Sequence, residues 1–279
     1  MKQLVGLILL LSLSAKGQEG AARYLSEFTK LSIGASQVQF RDFATSPLVY
    51  SGSAVFGDFG SYTVRGTAVT EYGSHFVTGG ASDPYGAAFS SVTAVHLYYG
   101  KLYQVAKPFK YGQIHVGGFL EGTGLLRTNN RLMNNGLGIE LAPALYASGK
   151  LTRDVSRKRN FVWQPIPFLS GIRFKERSRT VSFRLNAGLV NGGYRNGYAY
   201  SGQSALLNNF ELFEDYTYNA TAGLRFSGEC SLTTELGTKN RIEYSYYFQQ
   251  FALNGYDRFE WMQQGIKMSI YFLTKHKEL

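Results

Sequence analysis

The four histidines are the first residues whose chemistry asks for a partner: His75, His96, His115 and His276. A hydrolytic site needs a nucleophile and a base within hydrogen-bond reach of one another. Ser74 precedes His75 and Asp83 follows eight residues later, but two adjacent residues do not form a nucleophile–base pair by themselves. His115 and Glu121 fall on one face of an extended segment, yet six residues of strand cover about 20 Å. His96 has no evident partner and His276 lies in the C-terminal tail. Ser148-Gly149-Lys150 ends like a phosphate-binding loop, but Ala144 stands where that motif requires Gly and Leu151 where it requires Ser or Thr. The single cysteine, Cys230, excludes an internal disulfide framework and a Cys-rich zinc site. No catalytic residue, metal or cofactor is expected.

The chain is basic, with a formal net charge of +10. Two clusters concentrate that charge: Lys150, Arg153, Arg157, Lys158 and Arg159, then Arg173, Lys175, Arg177 and Arg179. A continuous strand from Phe161 to Ile172 would hold the clusters about 35–40 Å apart. That spacing opposes a single nucleic-acid surface and places charged turns at the two ends of an apolar strand. Nucleic acid is therefore not an expected partner.

The elements that position these residues are strands. Val181, Phe183, Leu185, Ala187 and Leu189 alternate with Ser182, Arg184, Asn186 and Gly188. Ile242, Tyr244, Tyr246 and Phe248 alternate with Glu243, Ser245, Tyr247 and Gln249. Ile266, Met268, Ile270 and Phe272 alternate with Lys267, Ser269 and Tyr271. A period of two sends one set to each face of a sheet. The same rule puts Arg225 opposite Leu224 and Phe226, Glu140 opposite Ile139 and Leu141, and His115 and Glu121 opposite Ile114, Val116 and Leu120. Arg65 and Glu71 are assigned to the polar face of a further segment.

Full charges recur on that polar face, which a packed soluble core rarely accepts. The segments reach the roughly 9–11 residues of a tilted membrane-spanning strand. Aromatic residues such as Tyr98, Tyr99, Phe109, Tyr111, Trp163 and Trp261 gather near predicted strand ends, where a membrane–water boundary suits them. Mean hydropathy is only −0.16, as expected when half of each strand faces a wet lumen. At the N-terminus, Lys2, the apolar run Leu4–Leu13 and Ala15-Lys16-Gly17 form a secretory signal, with cleavage expected after Gly17. Ten residues are too few to span a bilayer as a helix, which takes about 20.

These features define an all-β fold: a transmembrane antiparallel up-and-down β-barrel over residues 18–279. The expected strands are 29–40, 47–57, 61–72, 88–101, 110–122, 135–149, 161–173, 179–190, 216–228, 230–236 with 240–252, and 259–273. Twelve strands is the preferred count, because single-chain bacterial barrels are even-numbered; ten is the alternative. Segment 191–215 is the longest expected loop. Facing lipid should be Val181, Phe183, Leu185, Ile242, Tyr244, Phe248, Ile266, Met268, Ile270 and Phe272. Lining the lumen should be Arg65, Glu71, His115, Glu121 and Glu140, together with Arg184, Arg225, Glu243 and Lys267.

From Leu31 to Leu273 this pattern resembles the small outer-membrane β-barrel proteins of Gram-negative bacteria. Lys267-Met268-Ser269-Ile270-Tyr271-Phe272 looks like their terminal assembly-signal strand, although Thr274–Leu279 follow the aromatic residue that normally ends such chains. The resemblance implies residence in the outer membrane, contact with its lipid and with lipopolysaccharide, and handling by the assembly machinery. The expected function is non-enzymatic: a narrow pore, a transport accessory, or a structural and binding protein. The alternative is a hydrolase of the phospholipase, lipid A deacylase or protease type with a site at the barrel rim.

Overall fold

The computed structural model describes residues 24–44, 46–105, 112–129, 131, 136–163, 172–174, 176–196, 216–219, 223–254 and 258–278. The signal segment and most of loop 191–215 lie outside the described residues. The strands are β1 (Tyr24–Asp42), β2 (Ser46–Arg65), β3 (Ala68–Ser82), β4 (Phe89–Gln104), β5 (Gln113–Asn129) and β6 (Leu137–Asp154). Then come β7 (Phe161–Trp163), β8 (Ile172–Phe174), β9 (Arg179–Asn191), β10 (Gly193–Asn196) and β11 (Tyr216–Asn219). The last are β12 (Arg225–Glu235), β13 (Arg241–Leu253) and β14 (Phe259–Glu278).

Antiparallel pairing runs β1-β2-β3-β4-β5-β6-β9-β12-β13-β14 and returns to β1, so ten strands close the wall. The closing pair is continuous from Tyr24↔Glu278 to Asp42↔Phe259, with one bulge at Glu27/Phe28. Both ends of the described chain therefore lie at one end of the barrel, here called the terminal end; the other is the far end. Short β10 and β11 prolong β9 and β12 at the far end, where β10 pairs with β6.

The count is ten, and the preferred count of twelve is corrected, because one expected strand is not in the wall. Phe161 to Ile172 is not a spanning strand. Its ends pair with each other in the two-stranded β7–β8 hairpin beyond the terminal end. Segment 216–236 also supplies one wall position, with β11 in line with β12. A second correction concerns the break expected between strands 47–57 and 61–72: residues 58–60 lie inside the 20-residue β2. The true turn is Gly66-Thr67, joining the Arg65↔Ala68 pair. Gly66 has φ 59°, the left-handed value that a two-residue hairpin demands at its first central position. Arg65 consequently sits exposed at that turn and is not a lumen residue.

Alternation in the wall is regular. Phe183, Leu185, Tyr244, Ile266, Met268 and Phe272 are exposed on the outside. Val181, Ile242, Phe248 and Ile270 share their face. An apolar exterior on a closed wall is the arrangement a bilayer solvates, because every strand edge is paired. The aromatic girdle is only partly outside. Tyr99 faces outward, whereas Trp261 is buried in the interior, and Tyr98 turns inward to Asp58. Phe109, Tyr111 and the side chain of Trp163 lie outside the described residues.

Two outcomes test this wall. Leu185→Arg, at the middle of β9, should destabilise the barrel by about 2–4 kcal/mol in lipid vesicles, measured by urea unfolding. A spin label on Cys230, which is exposed on β12, should collide with dissolved oxygen far more than with a water-soluble nickel reagent. The reverse preference would refute a lipid-facing exterior.

Candidate functional site: the charged lumen

Inward residues sort into two zones by height. Toward the far end they form one apolar cluster that includes Val38, Phe40, Tyr50, Phe56, Val77 and Val92, with Phe251, Phe259 and Trp261. Most of these stand in the far halves of their strands, with Phe56 at the middle of β2, and they pack against one another like a protein core. A charged group is set into the layer. Arg127 Nη2 donates to Asp42 Oδ2 at 2.6 Å and also holds Glu140. Arg195 Nη2 donates to Asp42 Oδ1 at 2.7 Å. The Arg127 guanidinium lies 4.6 Å from the Phe259 ring centroid and 5.0 Å from that of Phe40. Glu140 thus faces the interior, buried in its pair with Arg127.

Below this layer the interior is polar. Lys30 Nζ pairs with Asp58 at 3.1 Å, and Tyr98 OH donates to the same carboxylate at 3.0 Å. Lys267 pairs with Glu229 at 2.8 Å. Arg184 on β9 reaches across the lumen to Glu71 on β3. Arg225 on β12 reaches Glu121 on β5 at 3.2 Å and Thr123 Oγ1 at 2.6 Å. Glu121 also accepts from Gln249 at 2.9 Å. Lys30–Asp58 joins the adjacent β1 and β2, whereas Lys267–Glu229, Arg184–Glu71 and Arg225–Glu121 bind strands that are not neighbours in the wall; buried carboxylates persist only with such compensation.

The interior leaves two adjoining cavities. A chamber of about 140 Å³ is lined by the ion pairs together with His75, His96 and Tyr247. A vestibule of about 340 Å³ opens from it at the terminal end, lined by His115, Thr152, Thr180, Arg241 and others. The two share Tyr62, Lys150, Ser182, Glu243 and Tyr271, which form the neck between them.

The structure places Glu71, Glu121, Arg184, Glu243 and Lys267 on the chamber wall. Arg225 is buried deeper, under Glu121, and His115 is at the vestibule. His96 is not without a partner: its Nδ1 lies 3.0 Å from Glu121 Oε1 and 3.0 Å from Thr123 Oγ1. His75 neighbours it, ring centroids 5.3 Å apart. Lys30, Asp58, Glu229, Lys150 and His75 are lumen residues that sequence reasoning missed. The alternation through β1 would have found Lys30; Asp58 fell in the gap left between the expected strands 47–57 and 61–72.

Nothing in this arrangement makes a nucleophile–base–orienter relay. Ser74 alternates with His75 and so faces away from it. Among the described residues the Ser–His hydrogen bond is Ser26 Oγ to His276 Nδ1, 3.0 Å, exposed at the terminal end, and no carboxylate orients that imidazole. No group of three or more His, Cys, Asp or Glu among the described residues could hold a metal.

The basic clusters are corrected by the fold. Arg157 and Arg177 are directly bridged, and Phe161–Trp163 pairs with Ile172–Phe174. Arg153, Arg157, Arg177 and Arg179 therefore stand together at the terminal end, not at opposite membrane faces; Lys175 lies outside the described residues.

A closed antiparallel ring, apolar outside and charged inside, defines a transmembrane β-barrel of the outer-membrane type. No protein-family model and no curated protein matches the chain. Solved structures similar to it include the transport unit of the autotransporter AIDA-I from Escherichia coli, at 7% identity and TM-score 0.37, covering 95% of this chain and 96% of that one. A Pseudomonas aeruginosa FadL homologue follows at 8% identity and TM-score 0.28, covering 90% of each chain. The TodX deltaS2S3 mutant monoaromatic hydrocarbon channel stands at 9% identity and TM-score 0.30, with 90% of each chain covered. Likeness at this level adds nothing to what the strand pairing establishes.

Truncation of one side of a deep ion pair should be costly. Arg225→Met is expected to lose about 3–5 kcal/mol, because Glu121 is left buried without its guanidinium. The double variant with Glu121→Leu should recover much of that loss. Urea midpoints in lipid vesicles check both; equal stability of the single and double variants would contradict a paired core.

Proposed function

We propose that the chain is a bacterial outer-membrane barrel without enzymatic activity, shut at the far end, that binds small polar solutes through its terminal end. The observation that carries this reading is the apolar layer around Phe40, Phe251, Phe259 and Trp261, pinned by Arg127, Asp42, Arg195 and Glu140. A lumen filled in this way has no continuous water path, and conduction requires one. The opposite mouth leads into a polar vestibule instead. A barrel with a closed top and an open, charged underside is suited to holding a solute or serving a transport partner, not to free diffusion.

Several parts of the reading go together. The outward apolar side chains contact outer-membrane lipid, and lipopolysaccharide packs around the outer rim. The signal segment directs export, and β14 carries the strand read by the assembly machinery. Barrels of this type carry short turns on the periplasmic side; the Gly66-Thr67 turn stands at the terminal end, so the vestibule is assigned to the periplasmic side, with the 155–178 connection as the exception there. The hydrolase alternative draws no support from the lumen, whose histidines meet carboxylate, threonine and aromatic groups rather than a serine nucleophile.

Planar bilayers provide the test. The unmodified protein should insert without steady single-channel current at any holding voltage. Replacing the layer by Phe40→Ala, Phe259→Ala and Trp261→Ala together should open measurable conductance. Discrete steady steps from the unmodified protein would overturn the closed reading in favour of a narrow pore.

A further inference from the structure

Charged side chains around the two cavities are paired with one exception on each side of the sign. Lys30, Asp58, Glu71, Glu121, Arg184, Glu229 and Lys267 all have ion-pair partners, and Glu235 meets Arg241 at 4.0 Å. Lys150 and Glu243 do not, among the described residues. Both stand at the neck, lining chamber and vestibule alike. They project from β6 and β13, which are not neighbours in the wall.

Their local surroundings differ in an informative way. The Lys150 ammonium lies 5.6 Å from the Tyr62 ring centroid, a contact that leaves its three donors free. Glu243 is hydrogen-bonded but not neutralised. Tyr271 OH donates to Oε1 at 2.9 Å and Thr233 Oγ1 to Oε2 at 3.0 Å. Each oxygen keeps lone-pair capacity for another donor. His115, the cross-strand neighbour of Lys150, has a buried Nδ1 with no hydrogen-bond partner. Ser182, which lines both cavities, adds a hydroxyl.

The geometry points to a binding site for a small zwitterion of the amino-acid class at this neck. Its carboxylate meets Lys150, with His115 beside it, and its ammonium meets Glu243. The inference rests on the closed-barrel reading above and names the solute class. A simple anion placed at Lys150 would also meet the uncompensated Glu243 carboxylate, and a simple cation at Glu243 would meet Lys150. A ligand carrying both charges satisfies both and leaves the existing ion pairs undisturbed. The vestibule, at about 340 Å³, is at the small end of ligand sites, which run from about 300 to 1,000 Å³. That size favours a short molecule over a peptide.

Titration calorimetry on the full chain in detergent micelles tests the site with defined probes: glycine, L-alanine and γ-aminobutyrate against propionate and isopropylammonium. At least one amino acid should bind about tenfold or more tightly than either singly charged probe. Lys150→Met and Glu243→Gln should each weaken that binding by about tenfold or more, with folding verified by the heat-dependent gel shift. The sign of the Glu243→Gln effect is the sharpest readout. If propionate binds best and this variant tightens it, the site is an anion site and the inference is overturned. Preferred binding of isopropylammonium that strengthens in Lys150→Met overturns it too, as does an absence of heat from every probe at millimolar concentration. Conductance of the unmodified barrel would instead refute the closed reading, so the two failures are distinguishable.

Discussion

A strand in a bilayer must satisfy its backbone N–H and C=O groups without water, so the sheet has to close on itself. Here closure depends on β1 pairing with β14 along its whole length, from Tyr24↔Glu278 to Asp42↔Phe259. That seam joins the first described residues to the last. It fixes the number of strands, sets every neighbour's register in turn, and thereby decides which side chains look inward. A slip of one residue in any strand would reverse its faces, sending Lys30 or Lys267 into lipid.

Once closed, ten strands enclose a lumen too narrow for charges to stay apart. Arg184 meets Glu71 across it, and Arg225 meets Glu121. Such pairs do two things. They compensate groups that would be costly alone in a low-dielectric interior, and they tie together strands that share no backbone hydrogen bonds. His96 is drawn into the same network through Glu121 and Thr123.

The interior is asymmetric along the barrel axis. Phe40, Phe251, Phe259 and Trp261 fill the far end, while Lys150, His115 and Glu243 border the open one. The apolar layer carries Arg127 and Arg195 against Phe259, whereas the vestibule is lined by polar and charged side chains. The bridge between Arg157 and Arg177 stands at the terminal end, where Arg153 of β6 and Arg179 of β9 also lie.

Much of this architecture is legible in the residues alone. A period of two is a local property, so the faces of β9, β13 and β14, and with them Arg184, Glu243 and Lys267, follow directly from alternation. Strand existence follows in the same way. Three things did not. Residues 58–60 read as a break between strands 47–57 and 61–72, yet Asp58 lies inside β2, paired with Lys30 on the adjacent strand, and no local signal carries that contact. The apolar stretch from Phe161 has strand composition, yet its ends pair with each other outside the wall, so the strand number and the meeting of the two basic clusters came only from the fold. The chamber itself depends on which inward residues end up at the same height, and that is set by the stagger of ten strands around a closed ring. Alternation assigns a side chain to a face; only closure assigns it a partner across the lumen, which is why Arg184–Glu71 and the unpaired Lys150 and Glu243 are tertiary facts.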